Sequence, residues 1–292
     1  MKLIIYYIIA SVLLVSCAQQ EEKITWELTN QPEMLVVESI ITNINKQQAV
    51  RLTVSNPYLD QGQPKTVSGA NVTVNDGTNT FLFAESHENP GLYFSQQLFS
   101  AQSHKTYQLD IKLSYVINGL MEYTAQSTAP QGLEIDSMLC EIYKMPEIAG
   151  EDENSGEVKD TTILGVCYFG KEPNTSVNYY FTKVFRNGKL LETNPKEYTY
   201  YSVTSQNATY THQIGFANNV TGTDTILFRL YTVDRDYNNY LEALHNIDFS
   251  GNSYSMSGPP ANAVGNVSDG KALGYFLAAY ISEKKSLAID KR

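Results

Sequence analysis

The chain of 292 residues sets 21 Lys+Arg against 31 Asp+Glu for a net charge of −10, which disfavours nucleic acid because phosphate binding needs clustered cations. Charged residues make up 18 % and hydrophobic ones 42 %, with 21 tyrosines, a profile that excludes disorder and suits a well-packed, β-rich protein of one or two domains. Only the extreme N-terminus is apolar enough to interest a bilayer, which excludes a bundle of membrane-spanning helices.

At that N-terminus, Lys2 precedes an apolar run from Leu3 to Val15, too short to span a membrane and of the length of a secretory core. Leu14-Val15-Ser16-Cys17 closes it and resembles the lipobox of bacterial lipoproteins, in which the Cys is acylated and becomes the first residue. Residues 1–16 then read as a signal peptide and Cys17 as the lipidation site; an ordinary signal with a coincidental Cys is the alternative. Several acyl chains on Cys17 anchor stably where one binds only marginally. Behind it, Glu21 and Glu22 resemble the acidic surface-export signal of Bacteroidetes lipoproteins, and residues 17–32, which lack periodicity, read as a flexible tether in any case.

From Glu33 to Pro130 the pattern is strand, turn, strand. Residues 34–41 are aliphatic and β-branched, and Val50-Arg-Leu-Thr-Val54 alternates as one buried face requires. Two further strands flank Asn75-Asp76-Gly77, Asn89-Pro90-Gly91 turns into Leu92-Tyr-Phe94, and Asn118-Gly119 joins residues 107–113 to 121–125. About seven short strands in about a hundred residues predict an immunoglobulin-like β-sandwich, though without the Cys…Trp…Cys spacing of antibody domains.

Thr128-Ala-Pro-Gln-Gly132 reads as a boundary, so residues 133–292 form a second β-rich domain in this all-β reading. Its acidic stretch 149–156 reads as an exposed loop. Strands resume at Ile163, Asn187-Gly188 makes the clearest hairpin, and residues 198–203, 208–216 and 225–233 continue the pattern. One short helix breaks it: Asp234 or Asp236 can cap a segment reaching to about Asn246, with Tyr237, Tyr240, Leu241 and Leu244 on one face and Gly251 past its end. Gly258-Pro259-Pro260 opens an irregular stretch, and residues 272–281 form a closing strand.

Candidate chemistry is sparse. Cys140 and Cys167 sit in two apolar strand-like runs; an oxidising compartment permits a bridge worth about 3 kcal/mol, and two buried free thiols on neighbouring strands are the alternative. The histidines His87, His104, His212 and His245 are scattered, and no nucleophile elbow, phosphate loop or zinc-helix motif is present, so the chain reads as a non-enzyme with no metal or cofactor. Tyrosines crowd residues 179–210. Tyr198, Tyr200 and Tyr201 are candidate platforms for a sugar or a partner, or else core and cross-strand packing, since alternate strand residues face opposite ways. Asn262 and Asn266, among several glycines, belong to a loop that either binds a partner or packs on itself beneath the final strand.

Three segments carry a family resemblance: Leu35-Val-Val-Glu-Ser-Ile-Ile-Thr42, Pro64-Lys-Thr-Val-Ser-Gly-Ala-Asn-Val-Thr-Val74, and the stretch from Pro259 to Phe276. In order and spacing, together with the lipobox, they resemble the domain-of-unknown-function 4249 family of Bacteroidetes lipoproteins. Asp269-Gly-Lys-Ala departs from the more glycine-rich turn expected there. The resemblance implies an outer-membrane lipoprotein, anchored through Cys17 and facing the surface or the periplasm, of a kind often encoded beside TonB-dependent receptors; with the N-terminal address and the two β-rich parts it leads to the expectation of an accessory or ligand-capture partner of a TonB-dependent transporter. It carries no catalytic residues over. A surface protein that adheres to glycan or matrix is the alternative.

Overall fold

The computed structural model describes residues 32–57, 60, 62–146, 160–173, 177–191, 200–203, 209–217, 220–252 and 262–290. The signal segment, Cys17, nearly all of the tether, the acidic stretch 149–156, Tyr198 and the Gly258-Pro-Pro turn lie outside them.

The fold is all-β with one α-helix and two sheets, as the alternation of apolar and polar residues requires. The first half contributes β1 (Leu35–Thr42), β2 (Ala49–Val54), β3 (Asn71–Asn75), β4 (Thr80–Glu85), β5 (Leu92–Ser95), β6 (Thr106–Ile117) and β7 (Leu120–Thr128). The second contributes β8 (Ile135–Pro146), β9 (Asp160–Lys171), β10 (Asn178–Arg186), β11 (Lys189–Leu190), β12 (Tyr200–Val203), β13 (Thr209–Ala217), β14 (Thr225–Val233), helix α1 (Arg235–Asn252), β15 (Leu273–Leu287) and β16 (Ile289–Asp290). The expected turns form. Asn118-Gly119 and Asn187-Gly188 take positive φ at both positions, and Asp76 folds its carboxylate over the amides of Thr78 and Asn79.

All strands of the first half join one hydrogen-bonded path, β1-β2-β5-β4-β3-β6-β7, which curls until β7 returns beside β15. Inside the curl, Leu35, Val37, Leu52, Val74, Leu109, Tyr123 and Phe276 pack as one core. In the second half, the sheet β13-β9-β8-β16 lies on the face of β10 and β14, and Ile142, Val166 and Tyr168 meet Val184, Phe228 and Leu230. Each such side chain contributes about 1.5–3 kcal/mol on leaving water.

β15 ties the halves together. It runs parallel to β1, pairing Val37 with Gly274 and Ile41 with Ala278, and antiparallel to β14. The boundary expected at residues 128–132 falls between β7 and β8, yet the longer sheet runs through both halves, and residues 32–292 form one compact unit. β15 is buried on both faces: Phe276 and Ala278 enter the curled core, while Tyr275, Leu277, Ala279 and Ile281 join a cluster under α1. This explains its near-continuous apolar run.

Helix α1 starts where Asp234 accepts the Tyr237 N–H at 2.7 Å, so Asp234 rather than Asp236 is the cap. Tyr237, Tyr240, Leu241 and Leu244 face the sheet as their spacing predicts. The helix extends past Asn246 and includes Gly251, because no proline blocks it before Pro259. Among the described residues, no helix is long and apolar enough to cross a membrane.

Candidate functional site

A cleft of about 980 Å3 opens where three distant segments converge. Asp236, Asn239, Tyr240, Ala243 and Asn246 of α1 form one wall, and Thr106, Gln126, Ser127 and Thr128 at the β6–β7 edge form the other. Residues 262–266 close one side, and Tyr275 of β15 lines it from within the sheet.

The loop owes its place to backbone contact. A Cβ on Gly265 would overlap the Gly274 carbonyl oxygen, and one on Gly274, whose φ is +83, would overlap that of Val37. Only glycine fits either position. Asn266 then bridges two strands: its Nδ2 donates to the carbonyls of Gln126 at 2.9 Å and Phe276 at 2.7 Å, and its Oδ1 accepts the Phe276 N–H at 2.9 Å. Thr124 N–H donates to Ser268 Oγ, and Ala125 bridges to Val267, so the loop also covers the otherwise open edge of β7. Of the two loop residues considered, Asn266 is therefore structural, as the packed-loop alternative holds, while Asn262 is exposed and lines the cleft.

The charge that the cleft carries is acidic, and the rest of its described lining is uncharged. Among the described residues, its lining holds Asp234 and Asp236 and no Lys, Arg or His. Burial raises the Asp234 pKa above the ordinary carboxylate value, against the Tyr237 amide and with the help of Asp236. Its Oδ2 accepts from Ser127 Oγ at 3.3 Å, and Ser127 Oγ accepts the Ala278 N–H at 2.9 Å. Burial pushes Tyr240 up to about 12, with Glu38 adding to it, and raises Tyr275, with Asp234 and Asp236 adding to it. Both phenols thus keep their protons at neutral pH. Two carboxylates in one cleft suggest a hydrolase pair. However, Asp234 is fixed as a cap, with each oxygen accepting a hydrogen bond, and is poorly placed to act as an acid.

The expected tyrosine platform falls elsewhere. Tyr201 lies tilted beside Tyr180 with ring centroids 5.4 Å apart and shares a hydroxyl–hydroxyl hydrogen bond with Tyr168, packing against the core between the two sheets. Glu172 joins this network, accepting from Tyr180 at 2.6 Å and Asn178 at 2.8 Å, and burial raises its pKa. Tyr201 is thus packing rather than a stacking surface. Tyr200 pairs with Phe181 through the backbone, and Tyr198 lies outside the described residues.

Cys140 and Cys167 are free thiols. In the β8–β9 register Leu139 faces Cys167 and Cys140 faces Val166, so adjacent-strand geometry sends the two thiols to opposite faces. The bridge considered from sequence does not form; Cys140 lies in the core, where burial pushes it to about 11. Among the described residues, no group of His, Cys, Asp or Glu is placed to hold a metal.

A family model described as a domain of unknown function (DUF4249) matches residues 21–285. The chain belongs to this family. No curated protein matches it. Two of the family-like segments meet in space, since β1 and β15 are hydrogen-bonded neighbours, and the loop 262–266 leads into the second of them. Sequence reasoning did not find the cleft itself. Its signal was present: Asp236, Asn239, Ala243 and Asn246 fall at intervals of three or four, a polar stripe beside the apolar face of α1.

Proposed function

We propose that this family member is a non-enzymatic lipoprotein of the Bacteroidetes cell envelope, held in the outer membrane by acylated Cys17, that captures a ligand for a TonB-dependent transporter. The surface-facing leaflet is favoured by Glu21 and Glu22 behind the anchor. The observation that carries the capture role is the cleft between α1, the 262–266 loop and the β7 edge. It has the volume of a ligand site, and carboxamides and hydroxyls dominate its polar lining instead of a nucleophile–base–electrophile set.

A mild-detergent pull-down of the tagged lipoprotein from native outer membranes, with Cys17→Ala as control, tests this reading. Co-purification of a TonB-dependent barrel with wild type but not with the variant is expected. Recovery of the lipoprotein alone, coupled with binding to purified glycan or matrix, would replace the transporter role with adhesion, which the same cleft would serve.

A further inference from the structure

We infer that the cleft of α1, β7 and the 262–266 loop binds an uncharged, hydroxyl-rich ligand, a neutral oligosaccharide, and discriminates against anionic ones. The inference deepens the capture reading and rests on it for biological meaning, but its physical basis is the lining.

Three features of the lining converge. The first is charge: among the described lining residues Asp234 and Asp236 meet no cation, so a phosphate, sulfate or uronate would be desolvated beside like charge without a described cation to compensate. The second is hydrogen-bonding character. Asn239, Asn246 and Asn262 line the cleft, and no hydrogen bond ties their side chains to another described residue. A carboxamide donates and accepts at once, as does every sugar hydroxyl, so neighbouring hydroxyls on a ring can each find a partner. Asp236 adds an exposed acceptor. The third is the ring surface: Tyr240, half-buried, lines the cleft and is backed by the buried Tyr275 ring at a centroid distance of 5.1 Å, so its exposed part offers apolar area for the C–H face of a pyranose. The two tyrosines keep neutral hydroxyls, so they add no charge of their own.

Size agrees with this ligand class. A cleft of about 980 Å3 lies at the upper end of ligand pockets, roughly 300–1,000 Å3, and accommodates more than one sugar ring.

The test uses the mature lipoprotein in detergent. Neutral oligosaccharides of two to six hexoses, and matched uronate-containing and sulfated ones, are printed as an array and titrated by calorimetry. The Asn239→Ala/Asn246→Ala double variant alters only exposed side chains, and Asp236→Asn changes only charge. The expected result is binding of at least one neutral oligosaccharide, at least tenfold tighter than its acidic match. The double variant should lose tenfold or more in affinity with an unchanged melting temperature, and Asp236→Asn should narrow the neutral-to-acidic ratio. Absence of binding to every neutral probe, a preference for the acidic ones, or affinity unmoved by the double variant would overturn the inference while leaving the transporter pull-down untouched. Chromatography of the probe afterwards separates the two readings: a shortened oligosaccharide would support the ligand class and overturn the non-enzymatic reading.

Discussion

Asn266 lays its side-chain amide against the backbone of Phe276 as another strand would, donating to its carbonyl at 2.7 Å and accepting its N–H at 2.9 Å. The same Nδ2 reaches Gln126 O, so one side chain pins the 262–266 loop to both β15 and β7. Replacement by Ala leaves backbone groups of Phe276 without their partner, and we expect a loss of about 2–4 kcal/mol in denaturant unfolding. Asn266→Asp should cost more, because it sets a carboxylate against two carbonyl oxygens. An Asp variant as stable as wild type would contradict the pin.

Gly274 and Gly265 make a second prediction. With φ at +83 and the Val37 carbonyl against its α-carbon, Gly274 admits no side chain unless β1 and β15 separate. Gly274→Ala and Gly265→Ala should each destabilise by more than about 3 kcal/mol or prevent folding, by analogy with overpacked cores. Gly77 also has positive φ, +86, but nothing within 4 Å, so Gly77→Ala should cost only about 1 kcal/mol. Equal costs at the two kinds of site would contradict the close approach.

The acid limb of stability should report Asp224. The Thr221 amide leads a set that also includes Asn187 and Arg186, and together they hold its carboxyl at about 2, below its ordinary 3.8. A depressed carboxyl contributes stability that is present above the unfolded value and lost as pH falls through the folded one. The melting temperature of wild type should therefore drop between about pH 4 and pH 2. Asp224→Asn should flatten that drop. Asp76 acts in the same direction: burial opposes its ionisation, but Lys105 at 2.7 Å and the amides of Asn79 and Thr78 outweigh it.

Much of this architecture was legible in the sequence because it is local. Asn187-Gly188 and Asn118-Gly119 specify their turns by themselves, and the 3.6-residue spacing of Tyr237, Leu241 and Leu244 specifies the buried face of α1. The pairing of Val37 with Gly274 was not legible, since it joins residues far apart in the chain and depends on a glycine whose partner is a backbone oxygen. Tyr201 was ambiguous for a related reason. Period-two alternation says that one of two adjacent tyrosines faces inward, and only the opposing sheet, through Tyr168, decides which. The cleft was hidden because α1, the loop and β7 contribute to it from three separate segments. Asp234 was readable as a cap, and its second role as cleft lining was not.

Thiol chemistry offers a fourth check. In a Cys17→Ala chain, Cys140 should resist a thiol reagent at pH 8 until the protein unfolds, because it is fully buried and its pKa is pushed to about 11. Cys167, partly exposed but also raised, should react slowly in the native state. Both should label completely under denaturing, non-reducing conditions. Labelling that requires prior reduction would reveal a bridge and contradict the β8–β9 register.

The proposed tethering of a binding protein to the membrane through Cys17 is tested most directly by metabolic labelling with an alkyne-tagged palmitate in native cells, followed by membrane fractionation. Label on the wild-type chain in the outer-membrane fraction, and neither label nor membrane recovery for Cys17→Ala, is the expected result. A wild-type chain that is unlabelled and soluble would contradict the anchor and, with it, the partnership with an outer-membrane transporter.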